Sequence, residues 1–141
     1  MMTFALMLAL MADGLPIDVL KPQSLPARGC AAYLFAKGDK PAFVAMASAD
    51  PALLRISIGG AVIDVARSAQ SGQADTGDGS FGFAGTTEYA GAGVTAVLDM
   101  KIEKRADLKD GAVVRDATLR VDRTGQDSVV GAVAGIVGCA A

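Results

Sequence analysis

Apolar and polar residues alternate along most of this chain, and a period of two predicts β-strands, whose successive side chains point to opposite faces. The longest alternating segment covers residues 94–103. Apolar side chains take every second position there; they are Val94, Ala96, Leu98, Met100 and Ile102. Beyond the first residues of the chain, no apolar stripe with helical spacing interrupts this pattern. The sequence therefore predicts an all-β protein.

The sharpest local signal is a pair of glycines, Gly59-Gly60, between two short alternating segments. Two-residue hairpin turns need positive φ angles, which glycine adopts without strain. A turn of this length also fixes which residues of the two strands lie opposite each other. The expected pairs are Ile56 with Ile63, Leu54 with Val65, and Arg55 with Asp64. The first two pairs share an apolar face, and the third lies on a charged face.

Further strands are predicted over residues 31–37, 42–48, 81–89, 118–122 and 129–137. Residues 68–80 contain no large apolar side chain and are predicted to form a mobile loop, and residues 104–116 a charged connection. The last strand should be buried on both sides, with Gly131 and Gly135 where neighbouring strands approach closely. About eight strands, connected mostly by hairpins, predict a small antiparallel barrel or a two-layer sandwich.

The chain begins with an apolar run of nine residues, Phe4–Ala12. A membrane-spanning helix needs about 20 apolar residues, so no transmembrane segment is predicted. The run matches the centre of a secretory signal peptide over residues 1–12, and the alternative is a buried N-terminal strand or helix. Residues 13–29 contain three prolines and are predicted to form an extended arm. Residues 30–141 then make up a single β-domain.

Two cysteines, Cys30 and Cys139, stand at the ends of the patterned region, and their spacing fits neither a metal site nor a Cys-x-x-Cys motif. A disulfide between them would join the first predicted strand to the last, as a closed or nearly closed sheet requires. Disulfides persist in oxidising compartments, so the bridge and the leader together predict a periplasmic or secreted protein. The alternative is a cytosolic protein with two buried free thiols.

Composition excludes several classes of function. The 141 residues carry a net charge of −2 and contain no long run of Lys or Arg, which argues against a nucleic-acid partner. The chain has no histidine, so histidine-dependent catalytic triads and histidine-ligated zinc are excluded. No cofactor is predicted.

Three patterns resemble functional motifs. Residues 77–82 match G-x-G-x-x-G, but no strand precedes them and no helix follows, as a dinucleotide site would need. Asp75, Asp78 and Ser80 offer oxygen atoms without the spacing of a calcium loop, so no metal site is predicted. Four carboxylates fall on predicted strands, and a carboxylate-based hydrolase is the third-ranked function; they are Asp64, Glu88, Asp99 and Glu103. No residue is assigned a catalytic role.

The leading interpretation is an exported, non-catalytic β-domain that binds a protein or a cell-envelope component. Loops on a rigid β scaffold commonly carry recognition, so the 68–80 loop is the expected site. Its candidate binding residues are Ser71, Gly72, Asp75, Asp78 and Ser80. The alternative is a small-ligand barrel with an apolar interior, which predicts a cavity lined by one set of side chains. That set is Val94, Leu98, Met100 and Ile102.

The order of these features resembles the membrane-bound inhibitors of C-type lysozyme. The shared features are an exported leader, terminal cysteines that bridge an antiparallel barrel, and a Ser-Gly pair, Ser71-Gly72, after a hairpin. The resemblance implies a small barrel that inhibits lysozyme by inserting loop residues into the enzyme's cleft, with Ser71 among them. The family's tyrosine shortly after the Ser-Gly pair has no counterpart in this chain.

Overall fold

A computed structural model describes residues 17–26, 28–73, 81–105, 111–126 and 128–140. Its eight strands are β1 (Cys30–Ala36), β2 (Ala42–Ala49), β3 (Ala52–Ile58), β4 (Ala61–Gln73), β5 (Ala84–Gly91), β6 (Val94–Lys104), β7 (Gly111–Arg123) and β8 (Val129–Cys139). Each strand pairs with its neighbours in sequence, and β8 pairs with β1 in antiparallel fashion to close a barrel. Within the described ranges the fold is all-β, as predicted, and it is the barrel of the two expected architectures.

Alternation along the strands builds the barrel interior. In β6 every second residue is buried, and these residues are the predicted apolar set. They join inward side chains of the other strands in one continuous core; its fully buried members include Leu34, Leu54, Ile56, Leu119 and Val133. Burying one such side chain stabilises the fold by about 1.5–3 kcal/mol, so this alternation is the main source of stability.

The hairpin between β3 and β4 has the predicted register. Ile56 lies opposite Ile63, and Arg55 lies opposite Asp64. The turn glycines have φ angles of 59° and 84°, so both need the left-handed region that glycine tolerates. The predicted hairpin is therefore confirmed in both its turn and its pairing.

Two predictions about strand extent and one about burial are wrong. Residues 68–73 belong to β4, and residues 111–116 belong to β7. Backbone pairing with β5 orders the first segment although its side chains are small and polar. β8 is buried on one face only, because the side chains of Val130 and Ile136 on its outer face are more than half exposed.

One glycine of β8 allows the barrel to close. Gly135 lies opposite Leu34 across the β1–β8 seam. A Cβ atom at position 135 would lie 2.9 Å from the backbone carbonyl carbon of Tyr33, and nearer still to its oxygen. The expected close approach of a neighbouring strand at Gly135 is thus confirmed.

An extended arm, residues 17–26, precedes β1 and covers a gap between β2 and β3. These strands pair only over Met46–Ala49 and Ala52–Arg55, so their other ends are not joined to each other. The Asp18 amide donates to the Ser57 carbonyl at 2.7 Å, and the Leu20 amide donates to the Phe43 carbonyl at 2.8 Å. The arm therefore bridges the two separated strand ends.

Side chains of the arm anchor it on both sides of the barrel wall. Ile17 belongs to the interior core. Leu20 is buried on the outside, against Ala31 and Met46. The Asp18 carboxylate accepts hydrogen bonds from the Gly60 amide at 2.6 Å and the Ser57 hydroxyl at 3.3 Å. The arm is therefore part of the folded structure.

A disulfide joins Cys30 to Cys139, the pairing expected from the sequence. The two residues also lie directly opposite each other in the β1–β8 pair. The bridge is compatible with a periplasmic or extracellular location. The expected signal peptide lies outside the described residues, and among those described no helix has the length and apolarity to cross a membrane.

Candidate functional site

An open groove of about 600 Å³ crosses the outer surface of the barrel. A row of cross-strand neighbours lines it from β4 to β8: Ser71, Thr86, Asp99, Thr118 and Ala132. Strand alternation places Thr86, Asp99, Thr118 and Ala132 outward, because each has a buried neighbour in sequence, and register places Ser71 beside Thr86. The groove thus presents hydroxyl and carboxylate groups from several strands on one surface.

The groove lies where the strands are irregular. The β6–β7 register shifts between Met100 and Ile102, and the β7–β8 register shifts between Val114 and Ala117. Such bulges bend a strand and redirect its side chains. The remaining lining positions include several small residues: Gly72, Gly85 and Ala117. Bent strands and small side chains leave room here for a bound group.

Charges of both signs line the groove. The Lys37 ammonium lies 2.9 Å from the Asp116 carboxylate, and this hydrogen-bonded contact lowers the pKa of Asp116. The Thr86 hydroxyl donates to Asp99 at 2.5 Å. Lys101 adds a second ammonium to the lining. Because the two carboxylates and two ammonium groups balance, hydrogen bonding would select a ligand here more than net charge.

An aromatic cluster lies beside one end of the groove on the outer wall. It consists of Tyr33 and Phe35 of β1 and Phe43 of β2, all half-buried. The Tyr33–Phe43 ring centroids are 5.9 Å apart, and the Phe35–Phe43 centroids are 5.3 Å apart. Ile136 lies opposite Tyr33 and has a side chain 54% exposed. Lys37 of the groove follows Phe35 by two residues, so the apolar and polar surfaces adjoin.

Sequence reasoning did not single out this aromatic cluster. The segment Ala31–Lys37 alternates Leu34 with aromatic residues, so either face was large enough to be the buried one. Leu34 is fully buried, and Tyr33 and Phe35 therefore point outward. The sequence pattern that could have revealed the cluster is the alternation of Tyr33 and Phe35 with Leu34, because it places the aromatic residues on the strand face opposite to the leucine.

The predicted site residues separate into two groups. Ser71 and Gly72 lie in β4 and line the groove, although the sequence predicted a loop there. The other candidates, Asp75, Asp78 and Ser80, lie outside the described residues. The structure therefore brings Ser71 and Gly72 together with residues that the sequence did not connect to them.

The interior set predicted for a small-ligand barrel is packed into the core. Val94, Leu98, Met100 and Ile102 are all buried members of the same cluster. A small cavity between the buried Phe83 and Tyr89 and the exposed Arg67 and Gln70 has a volume of about 10 Å³. That is about the space of one water molecule, whereas small-molecule pockets are about 300–1,000 Å³. Burial of Tyr89 raises its pKa to about 12, so its hydroxyl stays neutral.

Three of the strand carboxylates, Asp64, Asp99 and Glu103, are engaged in surface contacts. Arg55 donates to both oxygens of Asp64, at 2.7 and 2.9 Å, and this interaction lowers the pKa of Asp64. Glu103 lies 2.5 Å from Arg115. A general acid must hold a proton near neutral pH, whereas Asp64 and the groove carboxylate Asp116 are both held ionised. The described part of the chain contains no cluster of three or more metal-ligating side chains.

A second groove, of about 480 Å³, lies between the arm and the outer face of β2–β4. The Arg55 guanidinium in this groove donates hydrogen bonds to the Gln23 side-chain oxygen at 2.8 Å and to the Asp64 carboxylate. The Gln23 contact ties the arm to β3. The charges of this groove therefore help to hold the arm.

Comparison of the chain with protein-family models, curated proteins and solved structures finds no match in any of the three. Inference about function therefore rests on the geometry of the site. The lysozyme-inhibitor resemblance implies a loop around Ser71 and Gly72, and the described structure has a strand there.

Proposed function

We propose that this chain is an exported, non-catalytic β-domain that binds a protein or another component of the cell envelope. The observation that carries the proposal is the outer groove of about 600 Å³, with its row of polar side chains next to a half-buried aromatic cluster. Aromatic anchors beside hydrogen-bonding groups are typical of interfaces in which a few residues supply most of the binding energy.

The scaffold supports this role because the groove residues lie on strands. Side chains on paired strands are held in place before a partner arrives, so less conformational entropy is lost on binding. Closure of the barrel and the bridge between Cys30 and Cys139 restrict the wall further. The groove is thus suited to recognise a surface of fixed shape.

Two observations favour this proposal over the alternatives. The packed interior favours a surface site over a small-ligand barrel. The lowered pKa values of Asp64 and Asp116 make these two carboxylates poor general acids near neutral pH. The resemblance to lysozyme inhibitors suggests one specific partner, a C-type lysozyme.

The test compares two exposed threonines on the outer wall. Thr118 lines the groove, whereas Thr95 lies elsewhere on β6. Wild type, Thr118→Arg and Thr95→Arg are immobilised and exposed to envelope extract from the source organism. We expect wild type and Thr95→Arg to retain the same component and Thr118→Arg to lose it, with all three melting alike. Equal capture by Thr118→Arg would overturn the proposed site.

A cell-wall lysis assay with a C-type lysozyme tests the specific partner. Inhibition by wild type and Thr95→Arg, with loss in Thr118→Arg, is the result expected of a lysozyme inhibitor. Full lysis in the presence of wild type would exclude that partner, while the capture experiment would still decide whether the groove binds another one.

A further inference from the structure

Strand β4 extends well beyond its partner β3. The last β3–β4 pair is Leu53 with Ala66, whereas β4 continues to Gln73. Residues 67–73 pair with β5 on one side. On the other side, the described residues provide no backbone partner for them. We propose that two copies of this chain associate through this exposed edge, with their β4 strands antiparallel and Gln70 at the two-fold axis.

Strand pairing is interrupted at two places, and only one of them is covered by another segment of the described chain. Where β2 and β3 separate, the arm supplies Asp18 and Leu20 as backbone partners. Where β4 extends beyond the end of β3, the described part of the chain supplies no backbone partner. Unpaired edge groups favour pairing with another strand, since a second chain satisfies the same amides and carbonyls that a sheet neighbour would.

The centre of the edge, residues 69–72, lacks the usual protections against pairing. Natural edge strands are commonly blunted by lysine, proline, β-bulges or inward-pointing charges. Here the bulge and Arg67, which lies opposite the buried Tyr89, stand only at the start of the edge. Residues 68–73 are Ser, Ala, Gln, Ser, Gly and Gln, with Arg67 as the nearest charge. Residues 66–72 are all exposed, although the Arg67 guanidinium donates to the Gln70 side-chain oxygen at 3.0 Å and both residues border the small cavity beside Phe83. Small neutral residues on both faces permit a close approach of a second strand.

The sequence of the edge is self-complementary. Gln70 is the midpoint of residues 67–73, so full antiparallel overlap places Gln70 opposite its own copy. Ser68 then faces Gly72 and Ala69 faces Ser71, and no like charges oppose each other. The Gln70 side-chain oxygen accepts from Arg67 at 3.0 Å, which leaves its second lone pair and both amide donors to pair with an identical amide. The irregular positions flank this centre, with a register shift between Arg67 and Ala69 and a φ of 74° at Gly72.

This self-complementarity favours a second copy over an unrelated peptide. A two-fold contact satisfies both edges at once, as an isologous interface does. Because the paired stretch is short, the dimer should be weak and should depend on protein concentration. Ser71 points to the outer face in both copies, so the two grooves would lie on the same face of the joined sheet.

Sedimentation velocity on the full chain tests the proposal. Wild type should shift from monomer to dimer as its concentration rises into the millimolar range. Gln70→Lys and Gln70→Glu each place like charges opposite each other, and each should weaken the dimer at least about tenfold. An equimolar mixture of the two variants should restore the dimer, because lysine then faces glutamate.

Thr95→Lys is the control for added charge on the outer wall and should dimerise like wild type. Circular dichroism spectra that match wild type verify that the Gln70 variants are folded. A wild type that stays monomeric throughout would overturn the proposal, as would unchanged dimerisation of Gln70→Lys. Monomeric variants that fail to associate when mixed would overturn the register centred on Gln70.

Discussion

Substitution of Gly135 by alanine should open the seam that closes the barrel. Gly135 pairs with Leu34 across the β1–β8 seam. An alanine Cβ there would lie 2.9 Å from the Tyr33 carbonyl carbon and 3.3 Å from the Leu34 Cα, with the Tyr33 oxygen nearer still. Carbon atoms in favourable contact are about 3.5–4.0 Å apart. The opposing atoms belong to the backbone, so no side-chain rotation relieves the clash.

The expected cost combines two effects. Forcing an extra methyl group into a packed region costs about 1–3 kcal/mol. Separating the strands to make room weakens neighbouring hydrogen bonds, each of which contributes about 0.5–1.5 kcal/mol. A loss near 3 kcal/mol is expected, which corresponds to a fall of about 10 °C in Tm for a domain of this size.

Gly138→Ala is the matched control on the same strand. Its Cβ would meet the Cδ2 methyl of Leu25 at 3.1 Å. Leu25 is half exposed, so its side chain can move away. Thermal melts and urea titrations of the three proteins provide the comparison. Gly135→Ala that melts with wild type, or Gly138→Ala that loses as much stability, would refute this account of the seam.

Three other substitutions test separate features. Serine at Cys30 and Cys139 should lower the free energy of unfolding by about 2–4 kcal/mol, because the bridge links positions 109 residues apart, and equal urea midpoints would contradict this. Asp64→Asn removes a carboxylate whose pKa is lowered by its partner arginine. The ion pair between Asp64 and Arg55 should contribute about 0.2–1 kcal/mol to the free energy of unfolding, because the pair is exposed. This contribution should be present above about pH 4 and vanish as the pH falls through the lowered pKa of Asp64, and urea titrations of both proteins across that range measure it. Ile17→Ala should cost about 2 kcal/mol through loss of core contact, whereas Val19→Ala at an exposed position should leave the urea midpoint within error.

Local rules were sufficient for the parts of the fold in which one physical effect dominates. The glycine pair 59–60 fixed both the turn and the register of its hairpin. The even-numbered apolar residues of β6 had no competing face, so the inward set was evident. The two cysteines suggested that the first and last strands are neighbours, and their pairing agrees.

Other features depend on tertiary context that local composition does not encode. Residues 68–73 carry no large apolar side chain, and they form a strand because β5 supplies backbone partners. Residues 111–116 are bounded by charged sequence, yet they pair with β6 and β8. The groove residues Ser71, Thr86 and Asp99 are far apart in sequence, and only the register of β4, β5 and β6 places them in one row. Without the strand register, the sequence therefore indicated single residues of the site and not that these residues lie together.

The packed interior bears on where the proposed partner would bind. A barrel of eight strands can be filled by its own side chains or can hold a small ligand, and here the buried side chains form one continuous core. The proposed partner would therefore contact the outward side chains of the strands or the barrel ends. On this surface the outward side chains from Ser71 to Thr118 form one row. The bulges of β6 and β7 bend the strands beside that row. Because the same β4 segment supplies both the groove rim and the exposed edge, partner binding and self-association would be coupled through Ser71 and its neighbours.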